Sequence, residues 1–468
     1  MDRRVDVAVI GAGTAGLHAL SEIRKETENV VLINGGPLGT TCARVGCMPS
    51  KVMIQVADDY HRRDMLAMEG IGGGDGLRIE LPTALAHVRR LRDRFVEGVL
   101  KRSMRTIGDR FIDGYAEFLG PDRLRIPDRD MTIQADAIVI ATGSRPVVPP
   151  PWRRFGDRIL TTDTLFEQED LPPRLAVLGL GAIGTELGQA LARMGLAVTG
   201  FDMKAEIGGL TDPEINDAAV AAIGRDFPLH LGATATVEAD GNELRVAMDG
   251  AAVTVDRLLV AVGRRPNLDG LHLERLGVAL DETGAPPVDG ETMQIGALPV
   301  FLAGDALPGH PAILHEAAHD GRIAGYNAVR RRAAGFRRRT PLAIAFTDPQ
   351  LCSVGATWPQ LKDDDPAVGS ARFTGGRAAV MLREEGLIRL YADRSNGRLL
   401  GASMAAPGGE HLAHLLAWCI QDQRTVFDLL EKPFYHPVLE ETLEDALRDL
   451  AGQVAGAPPS PLPGFARA

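Results

Sequence analysis

Two cysteines, Cys42 and Cys47, are the residues whose spacing most directly suggests chemistry. Four residues separate them, and Gly46 allows a turn just before the second thiol. Pro49 then opens a segment whose apolar residues have helical spacing. A helix N-terminus beside Cys47 would stabilise its thiolate. The pair therefore predicts a redox-active disulfide, although two close cysteines are also typical of a structural crosslink in a small secreted protein.

Two strand–turn–helix units carry the GxGxxG pattern of dinucleotide-binding sites. Each follows a short apolar run, and the glycines are Gly11, Gly13 and Gly16 in the first unit and Gly179, Gly181 and Gly184 in the second. Such glycines permit a tight turn and close approach to a pyrophosphate at the helix N-terminus. Because the unit occurs twice, the sequence predicts two dinucleotide sites.

The residue that ends the second strand of each unit predicts how a ribose is held. Asp202 stands 18 residues after Gly184. An acid there binds the ribose and repels the 2′-phosphate of NADP, so NAD is favoured, although the opposing charge of Lys204 lies close by. Asn34 stands at the same offset from Gly16 and can accept a hydrogen bond without a charge. We expect weaker binding of that adenosine as a result.

Near the C-terminus, His436 and Glu441 form a candidate base. Apolar residues from Leu439 to Leu450 predict a helix that begins at Pro437, with Glu441 about one turn inside it. Its carboxylate would then reach the His436 imidazole and raise the basicity of the other ring nitrogen. The alternative is that the acidic residues of this segment only complement the helix dipole.

With these features the chain resembles the flavoprotein disulfide reductases, and its pattern is closest to the dihydrolipoamide dehydrogenases. The shared motifs extend over nearly the whole length: the first glycine turn, residues 39–51, Ala141-Thr142-Gly143, the second glycine turn with Glu186, residues 262–267, Ala303-Gly304-Asp305, and His436-Pro437 with Glu441. The resemblance implies an α/β fold with two Rossmann-like domains, one for FAD and one for NAD, and a C-terminal α+β dimerisation domain.

The resemblance also implies a role for each matching residue. Cys42 would be the exposed sulfur that exchanges with a substrate dithiol, and Cys47 would lie beside the flavin. Lys51 would pair with Glu186 near the flavin, and Asp305 would bind its ribityl chain. The implied FAD-binding residues are Gly11, Gly13, Gly16, Asn34, Thr41, Lys51, Thr142, Gly143 and Asp305, and the implied NAD-binding residues are Gly179, Gly181, Gly184, Glu186, Asp202 and Gly263. In this family the His–Glu pair comes from the partner subunit, which implies a homodimer.

Some positions depart from the family's pattern. Arg44 stands where Asn is usual, Val438 where Thr is usual, and Thr41 where Gly is usual. These changes concern the identity of the substrate more than the mechanism. The segment from His315 to His319 matches the zinc motif HExxH, but flavoproteins of this type place a helix there and no third ligand follows, so no metal is expected.

Length and composition fit this organisation. A chain of 468 residues suggests about three domains. The expected ranges are 1–149 and 268–338 for the FAD domain, 150–267 for the NAD domain, 339–450 for the dimerisation domain and 451–468 for a mobile tail. The net charge of −11 disfavours nucleic-acid binding, and no apolar run approaches the ~18 residues of a membrane span. A strand that starts by Val5 leaves no room for a leader, and four cysteines suit a reducing compartment, so a cytoplasmic protein is expected.

The predicted activity is oxidation of a dihydrolipoyl group, free or on a carrier protein, by NAD. The alternatives are reduction of glutathione or another small disulfide by NAD(P)H, and a flavoprotein that serves as an electron-transfer subunit. Asp202 disfavours the NADP form. The presence of Cys42 and Cys47 disfavours a soluble transhydrogenase, and a tail without a cysteine pair disfavours a mercuric reductase.

Overall fold

The computed structural model describes residues 2–455, apart from the side chains of 104–106; most of the predicted tail, from residue 456 on, lies outside that range. The helices are α1 (Thr14–Ile23), α2 (Thr41–Val45), α3 (Cys47–His61), α4 (Arg63–Leu66), α5 (Leu81–Ile107), α6 (Thr162–Leu165), α7 (Ala182–Arg193), α8 (Pro213–Ile223), α9 (Leu314–Ala328), α10 (Trp358–Leu361), α11 (Gly376–Val380), α12 (Gly409–Gln421), α13 (Val426–Leu430) and α14 (Glu440–Ala451).

The strands of the first half are β1 (Asp2–Ile10), β2 (Val30–Asn34), β3 (Phe111–Asp113), β4 (Glu117–Gly120), β5 (Arg123–Ile126), β6 (Met131–Ile140), β7 (Ser144–Pro146), β8 (Ile159–Leu160), β9 (Arg174–Leu178), β10 (Ala197–Asp202) and β11 (Leu229–Leu231). The remaining strands are β12 (Thr236–Asp240), β13 (Glu243–Met248), β14 (Ala251–Val255), β15 (Arg257–Val260), β16 (Arg264–Pro266), β17 (Val300–Leu302), β18 (Leu342–Ala345), β19 (Gln350–Gly355), β20 (Ala367–Arg372), β21 (Leu387–Ala392) and β22 (Leu399–Ala406).

The first sheet has the order β3-β2-β1-β6-β5-β4, and β17 adds to β6 from much later in the chain. The last four residues of β1 (7–10) are buried on both faces, and the strand runs parallel to β2 and β6. Helices α1 and α9 pack against each other on this sheet, because a Cβ at Gly321 would lie only 2.1 Å from the Ala15 carbonyl oxygen. This close approach places the N-termini of both helices at the carboxyl ends of the strands, where ligands of such sheets bind.

The second sheet, β11-β10-β9-β15-β8, repeats the parallel arrangement with α7 after β9. The antiparallel strands β12-β13-β14 form a separate small sheet. The third unit is the antiparallel sheet β18-β19-β22-β21-β20, with α12 and α14 packed on it. The predicted fold class, two Rossmann-like units and a C-terminal α+β unit, is thus confirmed.

The last helix differs from its prediction at one end. It begins at Glu440 rather than at Pro437, and Leu439 is its N-cap. The predicted apolar face is buried at Leu443, Ala446, Leu447 and Leu450. Glu441 is therefore the second residue of α14, and His436 lies in the loop that precedes it.

Candidate active site

Helices α2 and α3 carry the two cysteines at their starts. Thr40 caps α2 by accepting a hydrogen bond from the Ala43 amide at 3.2 Å, and α3 begins at Cys47 directly after Gly46. Thr40 has a φ of +63°, in the region that favours glycine, whereas Thr41 is the first helical residue. Of these two residues, it is therefore Thr40 whose backbone conformation favours glycine, whereas Thr41 has helical geometry.

Both thiols line one cleft of about 1370 Å³ between the first two sheets and the third unit. Cys42 is half-buried and Cys47 is the more exposed of the two, so the prediction that Cys42 is the exposed sulfur was wrong for the single chain. The predicted FAD-binding and NAD-binding residues that share this lining are Gly13, Thr41, Lys51, Gly143, Glu186 and Asp305. Glu186, expected among the NAD-binding residues, thus lies beside the cysteines, because α7 packs on α3.

The two thiols have different proton affinities. The hydrogen bond from Cys42 lowers the pKa of the Cys47 thiol to about 7, and the ammonium of Lys51 acts in the same direction, whereas burial opposes both. That hydrogen bond and burial raise the pKa of Cys42 well above its ordinary value. In the reduced pair, the thiolate therefore resides on Cys47.

Lys51 is held in place by two contacts. Its Nζ lies 2.7 Å from Glu186 Oε2 and 4.4 Å from the centre of the Phe346 ring. The Phe346 amide donates to Glu186 Oε1 at 2.7 Å. Both carboxylate oxygens are thus occupied, which fixes the ammonium beside the cysteines.

We expect the two thiols of the reduced protein to react with iodoacetamide over different pH ranges. Cys47 should reach half of its maximal rate near its pKa of about 7, and Cys42 only at far higher pH. Trypsin cleaves after Arg44 and Lys51, so mass spectrometry separates the two sites into the peptides 26–44 and 45–51. Equal pH profiles for both peptides would contradict this assignment.

The cleft beside the first glycine turn fits FAD. An added Cβ at Gly13 meets no atom within 4 Å, which leaves the start of α1 open to a phosphate. Asn34 accepts the Ala12 amide at 3.0 Å and donates to the Gly36 carbonyl at 2.6 Å, so it braces the turn. The buried hydroxyls of Thr142 and Thr162 have no hydrogen-bond partner. Thr162 lines the cleft, and a polar ligand there would satisfy its hydroxyl.

Asp305 is oriented by a chain of hydrogen bonds at the other end of this cleft. The Ser144 hydroxyl donates to Asp305 Oδ2 at 2.9 Å, and Arg264 Nε donates to Ser144 Oγ at 2.8 Å. Ile313 and Leu314, at the start of α9, line the same cleft. The N-terminus of α9 thus faces the position predicted for the flavin ring, where it stabilises negative charge.

A second cleft of about 1440 Å³ lies at the second glycine turn. Gly179, Gly181, Asp202 and Gly263 all line it, together with Trp152, which no sequence pattern indicated. Asp202 accepts the amides of Leu180 at 2.5 Å and Lys204 at 2.8 Å, so its carboxylate is fixed at the end of β10. A ribose at this edge would meet a charged acceptor.

Gly181 and Gly184 should respond differently to substitution by alanine. A Cβ at Gly184 would lie 1.8 Å from the Gly179 carbonyl oxygen, whereas one at Gly181 meets nothing within 4 Å. Gly184→Ala should destabilise the protein by roughly 1–3 kcal/mol. Gly181→Ala should keep the wild-type melting temperature and weaken NAD binding, because the methyl group occupies the phosphate position. Thermal denaturation and NAD titration of the holoenzyme test both; equal melting temperatures for the two variants would refute the steric argument.

The His–Glu pair is formed, but it lies away from the cysteines. His436 Nδ1 is 2.7 Å from Glu441 Oε1, and the Val438 amide donates to Glu441 Oε2 at 3.1 Å. The His436 imidazole, with the Val438 amide, lowers the pKa of Glu441. Val438 does not weaken the pair, since its backbone makes the contact. The His436 side chain is 79% exposed and is not among the residues that line the cleft of Cys42.

The HExxH segment lies on α9. The rings of His315 and His319 have centres 6.1 Å apart, and Glu316 pairs with Arg338 at 3.2 Å. Within residues 2–455, no three His, Cys, Asp or Glu side chains are grouped as a metal ion requires. No helix in that range is both long and apolar enough to cross a bilayer.

Comparison with known proteins agrees with this geometry. Residues 5–321 match the family model of the pyridine nucleotide-disulphide oxidoreductases, and residues 342–447 match the dimerisation domain of that family. Dihydrolipoyl dehydrogenase from Halobacterium salinarum is 29% identical and is covered over 96% of both chains. Mercuric reductase from Acidithiobacillus ferrooxidans is 31% identical over 97% of this chain and 84% of its own.

Solved structures agree as well. LpdA from Mycobacterium tuberculosis superposes with a TM-score of 0.82 at 27% identity, over 95% of this chain and 100% of that one. The flavoprotein disulfide reductase RclA from Escherichia coli, solved as a Cu(II) complex, shares the fold with a TM-score of 0.82 at 24% identity, over 95% of this chain and 99% of RclA. Members of the matched family use FAD and NAD(P), and the matched dimerisation domain supports a homodimer. The chain therefore belongs to the pyridine nucleotide-disulphide oxidoreductases.

Proposed function

We propose that this oxidoreductase is an NAD-dependent dihydrolipoyl dehydrogenase that works through a Cys42–Cys47 disulfide. The observation that carries the proposal is the shared cleft of Cys42, Cys47 and the Lys51–Glu186 pair, next to a glycine turn open to a phosphate. The substrate is a dihydrolipoyl group, free or on a carrier protein, and the active form is a homodimer. We place the enzyme in the cytoplasm, since Cys352 and Cys419 are free thiols, as suits a reducing compartment.

In this mechanism His436 of the partner subunit removes the proton from one substrate thiol. The resulting thiolate attacks Cys42 Sγ, which breaks the Cys42–Cys47 bond and leaves the negative charge on Cys47. The low pKa of Cys47 makes it the better leaving group. The second substrate sulfur then attacks the substrate sulfur of the mixed disulfide, which closes the substrate disulfide and breaks its bond to Cys42. The leaving Cys42 sulfur takes the proton that His436 holds, and the imidazole accepts the proton of the second substrate thiol, so the pair is left as a Cys42 thiol and a Cys47 thiolate beside a protonated His436. Bound FAD would pass the two electrons on to NAD.

The assay that tests the proposal is NADH formation from NAD and dihydrolipoamide by the purified holoenzyme. We expect rapid turnover with NAD and much slower turnover with NADP, because the Asp202 carboxylate repels a 2′-phosphate. Glutathione disulfide with NADH or NADPH is the counter-assay, and turnover there alone would favour the small-disulfide reductase. A disulfide that NADH reduces without turnover of either substrate would instead favour an electron-transfer subunit.

A further inference from the structure

A buried polar stripe on α7 connects three parts of the molecule. Glu186, Gln189 and Arg193 follow one another at helical spacing on one face of α7, and all three are buried. The stripe faces α3, which carries Cys47 and Lys51, and the loop between β18 and β19. Polar groups buried in this way must be satisfied by specific partners, so the stripe fixes how these elements pack.

Arg193 has the largest number of these partners. Its side chain is 7% exposed and contacts three carboxylates: Asp58 Oδ1 at 2.8 Å, Asp226 Oδ2 at 3.2 Å and Asp348 Oδ2 at 3.4 Å. The Asp348 carbonyl also accepts a hydrogen bond from it at 3.3 Å. A guanidinium presents five donors in a planar fork and can reach separate acceptors on different sides, whereas an ammonium presents three donors on a single nitrogen.

The contact between Arg193 and Asp58 repeats the Lys51–Glu186 contact two turns further along the same helix pair. Asp58 stands seven residues after Lys51 on α3, and Arg193 stands seven residues after Glu186 on α7. Seven residues are about 10 Å of helix. Helix α3 supplies the cation of the first bridge and the anion of the second, and α7 supplies the opposite charges. A shift of α3 along α7 by one turn would therefore break both bridges.

Gln189 lies between the two bridges and ties the same face to the third unit. Its amide donates to Asp226 at 2.7 Å and to the Asp348 carbonyl at 2.8 Å, while its oxygen accepts the Asp348 amide at 2.9 Å. The apolar residues Met53, Ala57, Leu187 and Ala190 fill the same helix contact. Apolar contacts have no preferred direction along the helix axis, whereas each polar contact needs one specific partner and so favours a single register.

We propose that Arg193 is a positioning residue: by binding Asp58 it fixes the register of α3 on α7, so that Glu186 meets Lys51 and holds its ammonium beside the redox cysteines. The proposal rests on the redox role proposed above for Cys47. Cys47 and Lys51 lie on the same helix, so loss of the register would keep their backbone spacing but release the Lys51 ammonium from Glu186. Lys51 lowers the pKa of Cys47 more than Glu186 raises it, so release of both charges should raise that pKa.

The test is the pH profile of Cys47 alkylation in the anaerobically reduced holoenzyme, read from peptide 45–51. We expect Arg193→Gln and Asp58→Ala to raise the half-maximal pH by roughly one unit. Arg193→Lys keeps the charge but not the planar fork, so its half-maximal pH should lie between that of the wild type and that of Arg193→Gln. If Arg193→Gln fails to fold, Asp58→Ala decides, because it leaves Arg193 paired with Asp226 and Asp348.

Arg389→Gln is the matched control. Arg389 is as buried as Arg193 and pairs with Asp212 at 2.9 Å, which also joins the NAD-binding unit to the third unit, but it does not touch α3. It should lower the melting temperature and leave the Cys47 profile unchanged. Wild-type profiles in Arg193→Gln and Asp58→Ala, or an equal shift in Arg389→Gln, would overturn the positioning role. An ordinary thiol profile in the wild type would instead refute the role of Cys47 itself.

Discussion

Replacement of Cys42 by serine is expected to reduce NADH formation from dihydrolipoamide by roughly 10³-fold or more, because no mixed disulfide can form with the substrate. The fold should survive, since Cys42 is only half-buried and serine has nearly the same volume. Steady-state kinetics with dihydrolipoamide and NAD measure the loss. Flavin content and melting temperature show whether the protein is otherwise intact.

Cys419→Ser is the matched control for this substitution. Cys419 is also partly buried and free, but it lies on α12 outside the cleft of Cys42. It should retain wild-type turnover. Near-wild-type turnover by Cys42→Ser would exclude the disulfide mechanism. If the wild type shows no turnover and Cys42→Ser still binds the partner protein, the result would favour the electron-transfer subunit.

Replacement of His436 by glutamine should lower the same rate by roughly 10²–10⁴-fold, because the substrate thiol loses its general base. The imidazole is largely exposed and its main contact is Glu441, so the fold should be little affected. The cysteines should still be reducible by NADH, because in the proposed mechanism His436 acts on the substrate thiols, which take no part in that reduction. A full loss of NADH-dependent reduction would place His436 in a different step.

Hybrid dimers show whether His436 acts across the subunit interface. Cys42→Ser and His436→Gln homodimers should both be inactive. A mixed dimer unites the intact Cys42 of one subunit with the intact His436 of the other, so it should recover one of its two sites. Co-expression with two different affinity tags isolates the mixed dimer. An inactive mixed dimer would show that each subunit uses its own histidine.

The sequence alone determined the features that depend on short stretches of chain. Gly11 and Gly16 approach each other within one turn, and Cys47 starts a helix because Gly46 and Pro49 flank it. The link between His436 and Glu441 spans five residues and was also predictable. Such features follow from local sterics and helical spacing, which the order of residue types sets directly.

The pattern of residue types was a less reliable guide to which of several adjacent residues takes a special backbone conformation or begins a helix. The sequence alone does not show which residue of the Thr40-Thr41 pair takes the backbone that favours glycine; the positive φ belongs to Thr40. The predicted start of α14, at Pro437, was three residues too early. Both cases concern element boundaries, where one residue changes the hydrogen bonding and periodicity gives no signal.

How distant segments meet depends on tertiary packing. The family resemblance already implied the Lys51–Glu186 pair and a second dinucleotide site with Asp202, but nothing in the sequence indicated that the Phe346 amide binds Glu186. The partners of Arg193 come from three distant segments, and no spacing in the chain joins them. These contacts depend on how α3, α7 and the third sheet pack, and packing is set by the combined burial of many side chains rather than by any local motif.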